Sequence, residues 1–249
     1  MSAQGSLTLT LVVPLYNEQQ GVAELYHRVC AALEPVGLPY ELVLVDDGSR
    51  DATPQLIDDL ARADRSVHAL HLSRNFGHQA AISAGLDYAL GQAVILIDGD
   101  LQDPPELIPQ LVERWREGFD VVYGVRQRRK EGLLKRLGYY SFYRILSQIS
   151  DIDIPLDSGD FCLMDRKVVD VLKHLPERMR FVRGLRSFVG FRQTGLAYER
   201  AARQSGKAKY SYASLVFLAI DGLISFSSYQ LSLCNYIFSY IIAQLHCSF

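Results

Sequence analysis

The sequence predicts an α/β fold built on a mainly parallel central sheet. Three observations carry this prediction: short apolar runs rich in Val, Ile and Leu, segments of helical period that alternate with them, and polar clusters that close the runs. Near-continuous apolar strands belong to sheets covered by helices on both faces, which are characteristically parallel.

Leu7–Val13 (LTLTLVV), ended by Pro14, reads as the first buried strand. Gln19–Leu33 follows with helical spacing at Val22, Leu25, Tyr26, Val29 and Leu33. Glu41–Val45 (ELVLV) is the second strand, closed by Asp46-Asp47-Gly48-Ser49. Thr53–Ala63 reads as a helix with Pro54 in its first turn and Thr53 as its cap. Val67–Leu72 is a third strand, Gln79–Leu90 an Ala-rich helix, and Ala93–Ile97 (AVILI) a fourth strand ending at Asp98-Gly99-Asp100. Pro104–Glu117 is a helix opened by two prolines, and Asp120–Tyr123 a fifth strand.

With 249 residues, 49% of them hydrophobic and 22% charged, the chain is one large domain or a domain with an appendage. That composition excludes disorder, collagen and coiled coil. Cys30, Cys162, Cys234 and Cys247 show no zinc spacing and no disulfide framework, which fits a reducing compartment. Residues 1–125 hold 7 basic and 18 acidic residues, and 126–249 hold 19 and 10. An acidic half beside a basic half points to a site that handles metal on one side and phosphate on the other. Nucleic acid as a partner is disfavoured, because no aromatic-rich strand motif or basic helix run supports it.

In open parallel sheets, ligands bind beyond the carboxyl ends of the strands. Residues 14–18, 46–49 and 98–103 occupy three such ends and are expected to converge on one cleft. No G-x-G-x-x-G follows the first strand and no P-loop occurs, so those modes of phosphate binding are disfavoured. Carboxylates stand where glycines would cradle phosphate, and like charges reach a diphosphate only through Mg²⁺ or Mn²⁺. Asp98 and Asp100 lie on one side of an extended strand end, with Gln102 adding a neutral oxygen. Acidic caps on the helix behind Pro104 and Pro105 would read the same way.

VVPLYNE (12–18), LVDDGSRDAT (44–53), LSRNFGHQAAISAGLDYA (72–89), ILIDGDLQDPPELI (95–108), DVVYGVRQRR (120–129), GDFCLMDRKVV (159–169) and FVRGLRSFVGFRQ (181–193) resemble family-2 glycosyltransferases. Within that family they are most similar to the polyprenyl-phosphate type, the bactoprenol glucosyl transferases and dolichyl-phosphate mannose synthases, over residues 7–228. The resemblance implies a GT-A fold and a Mg²⁺- or Mn²⁺-dependent, inverting transfer of sugar from a nucleotide-sugar donor to a lipid phosphate.

Carried onto this sequence, the resemblance gives Pro14, Tyr16, Glu18, Val45, Asp46 and Asp47 to the nucleoside, and Asp98 and Gly99 to the nucleotide-sugar. Asp100 and Gln102 are implied metal ligands, while Asp103 is read as a helix cap. Arg126, with Lys135 or Arg136, is expected to receive the acceptor phosphate, since guanidinium suits phosphate oxygens; a solvated charge run is the bland alternative. Arg203 and Lys209 match a basic loop that closes over the donor diphosphate, although a juxtamembrane basic cluster would look alike. Asp160, matching an acid of the family core, stands with Asp100 and Arg126 as a catalytic candidate. An acceptor phosphate is already ionised, so Asp160 is expected to position the acceptor or its cations, with a structural turn as the competing role. His78 is the one histidine to watch, because its loop faces the donor. Gly99 replaces a more usual Ala, a change tolerable where the backbone approaches a ligand. Cys162 stands at a position commonly Arg, removing a cation near the site, and Arg186 and Phe188 replace more usual apolar and Trp residues.

No Lys, Arg, Asp or Glu occurs in residues 222–249. This uncharged tail, with its apolar run Leu231–Leu245, is just long enough for a membrane helix, with a buried helix as the alternative. Tyr210–Ser228 has the pattern of an in-plane amphipathic helix, or equally of one packed on the core. The expected organisation is a catalytic domain over 1–210, a juxtamembrane helix over 211–228 and an incomplete membrane anchor over 229–249. The N-terminus lacks a signal-peptide pattern, so the large domain is expected at the cytoplasmic face of the inner (plasma) membrane. Relatives of this type self-associate, which makes a homo-oligomer a further implication. UDP-glucose is the preferred donor, with UDP-aminoarabinose, UDP-N-acetylhexosamine and GDP-mannose as alternatives. A non-catalytic nucleotide-sugar-binding partner, disabled by Cys162 and the short tail, is the second functional class.

Overall fold

β1 (Leu9–Leu15) forms at the centre of the sheet because alternate residues face two different helical layers, and all seven are buried. The computed structural model describes residues 8–127, 158–176 and 180–199. The chain divides into two compact units, Met1–Arg129 with Asp157–Lys207 and Lys130–Leu156 with Ala208–Phe249; every described residue belongs to the first. Lys135, Arg136, Arg203, Lys209 and both expected C-terminal helices lie outside the described residues. Among the described residues, no helix is long and apolar enough to cross a membrane.

The elements are β1, α1 (Val22–Leu33), β2 (Tyr40–Asp46), α2 (Thr53–Ala63), β3 (Val67–His71), α3 (His78–Tyr88), β4 (Ala93–Leu96), α4 (Ile108–Arg116), β5 (Val121–Gln127), β6 (Ser158–Asp165), α5 (Arg166–His174), α6 (Val182–Phe188) and β7 (Gln193–Glu199). The described strands make one sheet in the order β3-β2-β1-β4-β6-β5-β7. Every pairing is parallel except the two made by β6. α1, α2 and α4 cover one face, and α3, α5 and α6 the other. Leu9, Leu11, Val13 and Leu15 share a core with Leu25, Val29, Ile57, Ile108 and Leu111. Each side chain of this kind contributes about 1.5–3 kcal/mol on full burial.

The expected strands and helices of the first half are present, with local corrections. Thr53 is not a cap: its main-chain N–H is capped by Asp51, while its hydroxyl accepts from the Glu18 N–H at 2.9 Å. The helix expected over Pro104–Glu117 begins with a 3-10 turn at Pro105–Leu107, and α4 proper starts at Ile108. β5 runs four residues beyond Tyr123, so Arg126 belongs to the strand rather than to the loop after it.

The reversed strand β6 matters most for the site. In its antiparallel pairing with β4, Cys162 lies opposite Leu96. Continuing that register, two residues after Leu96 and two before Cys162, Asp98 comes level with Asp160. A strand running the other way brings its beginning to the edge where its neighbours end.

Candidate active site

The carboxyl edge of β1 and β2 is tied together through main-chain groups. Asp47 N–H donates to the Leu15 carbonyl at 2.8 Å, and Asn17 N–H to the Ser49 hydroxyl at 2.8 Å. Asp46 Oδ1 accepts from Ser49 N–H and closes the Asp-Asp-Gly-Ser turn, while its Oδ2 lies 3.4 Å from His71 Nδ1. Asp47 accepts from the N–H groups of Phe76 and Gly77 at 2.7 and 3.0 Å, pinning the loop that leads into α3. Gly48 is required in this turn: its φ is +66°, and a Cβ there would lie 2.4 Å from the Arg74 carbonyl carbon. Pro14 is buried in β1, Tyr16 is half-buried, and Glu18 is buried under α2. The Val45 side chain is wholly buried in the core.

Asp98, at the end of β4, meets a different environment. His78 Nε2 lies 3.4 Å from Asp98 Oδ1 and 3.3 Å from Asp160 Oδ2, bridging the two acids from the start of α3. Gln79 Nε2 donates to Asp160 Oδ2 at 3.3 Å, and its Oε1 accepts from Val182 N–H at 3.0 Å. Arg183 Nε stands 3.4 Å from Asp160 Oδ1. Burial alone would raise the Asp160 carboxyl, but Arg183, His78 and Arg186 hold it well below the usual range. Desolvation, and the acids Asp103, Asp160 and Asp100, push Asp98 up to about 6 against the pull of His78. Burial works against a charged His78 ring, yet Asp160 and Asp98 outweigh it and raise its value.

Arg126 extends the cluster onto the other face. Its Nε donates to the Tyr198 hydroxyl at 3.3 Å, the hydroxyl donates to Asp103 Oδ1, and Arg126 Nη2 lies 3.7 Å from Asp103 Oδ2. Burial and then Asp103 keep the Tyr198 phenol protonated. Asp103 is thus a buried anchor of Arg126. Asp160 sits in β6, which removes the turn role expected for it. Gly99 is small because of β1: a Cβ there would meet Leu15 Cδ2 at 2.4 Å and the Pro14 carbonyl at 3.1 Å. The cation expected to be missing at Cys162 is supplied by Arg186 of α6, which contacts the Cys162 thiol and stacks 5.2 Å from the Tyr123 ring centre.

The structure therefore joins Asp98, Asp160, His78, Gln79 and Arg183 in one cluster, and Arg126, Tyr198 and Asp103 in a second. Arg183 and Arg186, three apart on a short helix, were a legible basic pair on one face. Asn17 and Leu101 adopt left-handed φ of 52° and 58°, and both lie in the loops of this edge.

The donor set can be tested for Mg²⁺ or Mn²⁺. Asp100 Oδ1 accepts from Gln102 N–H at 3.1 Å, which orients hard oxygen donors beside Asp98. Among the described residues no three acids or histidines converge tightly enough to chelate an ion. The crowding that raises Asp98 is what a divalent cation would relieve, so the residues fit such an ion in chemistry.

The sequence profile described as glycosyl transferase family 2 matches residues 10–172, well over half of the chain. The chain belongs to that family. This glycosyltransferase is 45% identical to an uncharacterized glycosyltransferase of Synechocystis over 95% of its own length and 74% of the relative's. It is 42% identical to the bactoprenol glucosyl transferase of Shigella phage SfV, over 93% of this chain and 76% of the relative. Its fold resembles that of Mycobacterium tuberculosis glucosyl-3-phosphoglycerate synthase, solved with Mn²⁺, UDP and glucosyl-3-phosphoglycerate. That likeness has a TM-score of 0.62 at 20% identity, over 90% of this chain and 81% of the other. Some other solved structures sharing the fold are longer, and of those the chain covers 58%. The expected GT-A-like architecture is thus the one observed.

Proposed function

We propose that this glycosyltransferase transfers a sugar, with glucose from UDP-glucose as the first choice, to a polyprenyl phosphate at the cytoplasmic face of a membrane. The single observation that carries the reading is the pairing of acids and cations at the carboxyl edge: Asp98 and Asp160 share His78, Asp160 meets Arg183, and Arg126 meets Asp103. The resemblance to bactoprenol glucosyl transferases supports the lipid acceptor. Other donors remain the alternatives named above, and self-association remains part of the proposal.

In this reading the nucleoside lies against Pro14, Tyr16, Glu18, Asp46 and Asp47. The prebuilt turn there offers a rigid floor, and Tyr16 an aromatic face for the base. Asp100 and Gln102, beside Asp98, would hold Mg²⁺ or Mn²⁺, which neutralises a leaving diphosphate. Arg203 and Lys209 would close over that diphosphate, and Arg126 with Lys135 or Arg136 would take the acceptor phosphate. An ionised phosphate oxygen attacks the anomeric carbon, a new C–O bond forms, and the bond to the diphosphate breaks with its electron pair leaving on UDP. No proton need be removed from the acceptor. Asp160, engaged by three donors and held ionised, serves to fix His78 and Arg183 rather than to act as a base. The charge argument for a non-catalytic binder weakens, since Arg186 stands beside Cys162.

Transfer from radiolabelled UDP-glucose to undecaprenyl phosphate in detergent, with Mn²⁺ or EDTA, tests the proposal. The expected result is metal-dependent lipid product in the wild type, reduced at least about 100-fold in Asp100→Ala. Binding of UDP without product would redirect the donor or acceptor; neither product nor binding would sink the enzyme reading.

A further inference from the structure

Arg126 is seated by groups from three other parts of the chain. In the parallel register of β5 and β7 it lies beside Tyr198, whose hydroxyl accepts from its Nε at 3.3 Å and donates to Asp103. Its Nη2 stands 3.7 Å from Asp103 Oδ2, and the Asp103 side chain is wholly buried. Two glycines open the space for this arrangement. A Cβ at Gly159 of β6 would lie 2.7 Å from Arg126 Nη2 and 3.2 Å from its Cζ, so the guanidinium occupies the room a larger residue would fill. A Cβ at Gly124, two residues before Arg126, would meet the Tyr198 ring at 2.7 Å and the Phe161 ring at 3.0 Å. The two strands also fall out of step here. Between the pairs Tyr123 with Cys162 and Val125 with Ser158, β5 advances two residues and β6 four. A bulge of this kind re-aims the side chains beside it.

A buried ion pair adds little stability over a well-packed apolar pair. Stability therefore does not account for two glycines, a bulge, a buried acid and a phenol around one cation. Preorganisation does: an arginine held in place before a ligand arrives loses less side-chain freedom when it binds a phosphate. The guanidinium is not sealed, since 16% of the Arg126 side chain is exposed. Asp103 also ends the loop that carries Asp98, Asp100 and Gln102. That loop is pegged at Gly99 against β1, and at Leu101, which is 4% exposed with a φ of 58°. One carboxylate thus fixes both the far end of the acid-bearing loop and the cation of β5.

We propose that Asp103 and Gly159 are positioning residues that act through Arg126. Asp103 holds the guanidinium by charge and Gly159 by the space it leaves, and together they fix how Arg126 meets a phosphate group of the substrate. Through Asp103, the phosphate-receiving cation keeps a set position relative to the loop bearing Asp100 and Gln102. This inference rests on the reading of the substrate as phosphate-bearing. The phosphate belongs either to the lipid acceptor or to the donor diphosphate.

The test titrates the full chain with geranyl phosphate, UDP and inorganic pyrophosphate, and measures KM and kcat for transfer. Asp103→Asn keeps the shape and removes the charge, whereas Gly159→Ala keeps every charge and displaces the guanidinium. Each is expected to weaken geranyl phosphate binding and raise acceptor KM about tenfold, with a smaller effect on kcat. In an Arg126→Ala background, Asp103→Asn should cause no further loss, because its effect passes through the missing guanidinium. A purely structural role for Asp103 would persist in that background. Weakened UDP and pyrophosphate binding instead, with the same dependence on Arg126, would assign the phosphate to the donor and uphold the positioning role. The proposal is overturned if either variant, folded, binds all three probes like the wild type. It is equally overturned if Asp103→Asn weakens binding as much in the Arg126→Ala background as in the wild type. Gly159→Ala decides the matter should Asp103→Asn not fold. A wild type that transfers no sugar but binds geranyl phosphate or pyrophosphate in a Gly159- and Asp103-dependent way would refute the proposed reaction and leave this inference standing.

Discussion

The two halves of the site edge are built from the same residue types and behave differently. At the ends of β1 and β2, the carboxylates of Asp46 and Asp47 accept from main-chain N–H groups at 2.7–3.0 Å. At the ends of β4 and β6, Asp98 and Asp160 meet other side chains at 3.3–3.4 Å, and buried nitrogens of Arg183 and Arg186 have no hydrogen-bond partner. Main-chain donors are fixed by the fold and cannot be drawn away, so the first half is a scaffold. Side-chain charges at long distance in a poorly solvated place are an unfinished network. On the proposed reading, the first half would hold the nucleoside, and the second would be completed by an ion and phosphate.

If this contrast holds, changes in the first half should act on stability and changes in the second on activity. The largest stability effect is expected from Gly48→Ala, which combines a left-handed φ with a contact against the Arg74 main chain. A loss of about 2–4 kcal/mol should appear in urea unfolding; a loss below about 1 kcal/mol would mean that the turn yields and is no scaffold. Tyr198→Phe removes the hydroxyl that links Arg126 to Asp103. It should cost only about 1–2 kcal/mol in the same measurement, while sugar transfer falls about tenfold or more through a misplaced Arg126. Unchanged transfer would detach Arg126 from the reaction.

The smallest effect concerns His71, which burial alone would lower but which Asp58 and Asp46 raise. A raised folded value means that its stabilisation is fully present below about pH 6.5. It is lost as pH rises through the higher folded value. His71→Gln should therefore lower the thermal midpoint at pH 5.5 more than at pH 8.5. With 38% of the His71 side chain exposed, the difference should amount to a few tenths of a kcal/mol. An equal deficit at both pH values would show that the pair contributes through shape alone.

The sequence by itself determined the alternating layers, the parallel core strands and the three polar strand ends. Apolar periodicity and turn residues are local properties, and parallel sheets place ligands at one edge by topology. It also marked Asp98, Asp160 and His78, and its motifs pointed to the glycosyl transferase family 2 to which the chain belongs. Only the tertiary structure decided how these residues pair. Asp160 reaches Asp98 because β6 runs backwards, and no period in 158–165 reveals strand direction. Asp103 read as a cap beside two prolines, and only the fold brings Tyr198, ninety-five residues away, onto it as a link to Arg126. Cys162 looked like a missing charge until α6 laid Arg186 over it. Strand order and helix placement are settled by long-range packing, and charge balance in a buried site depends on which side chains that packing brings within a few ångströms.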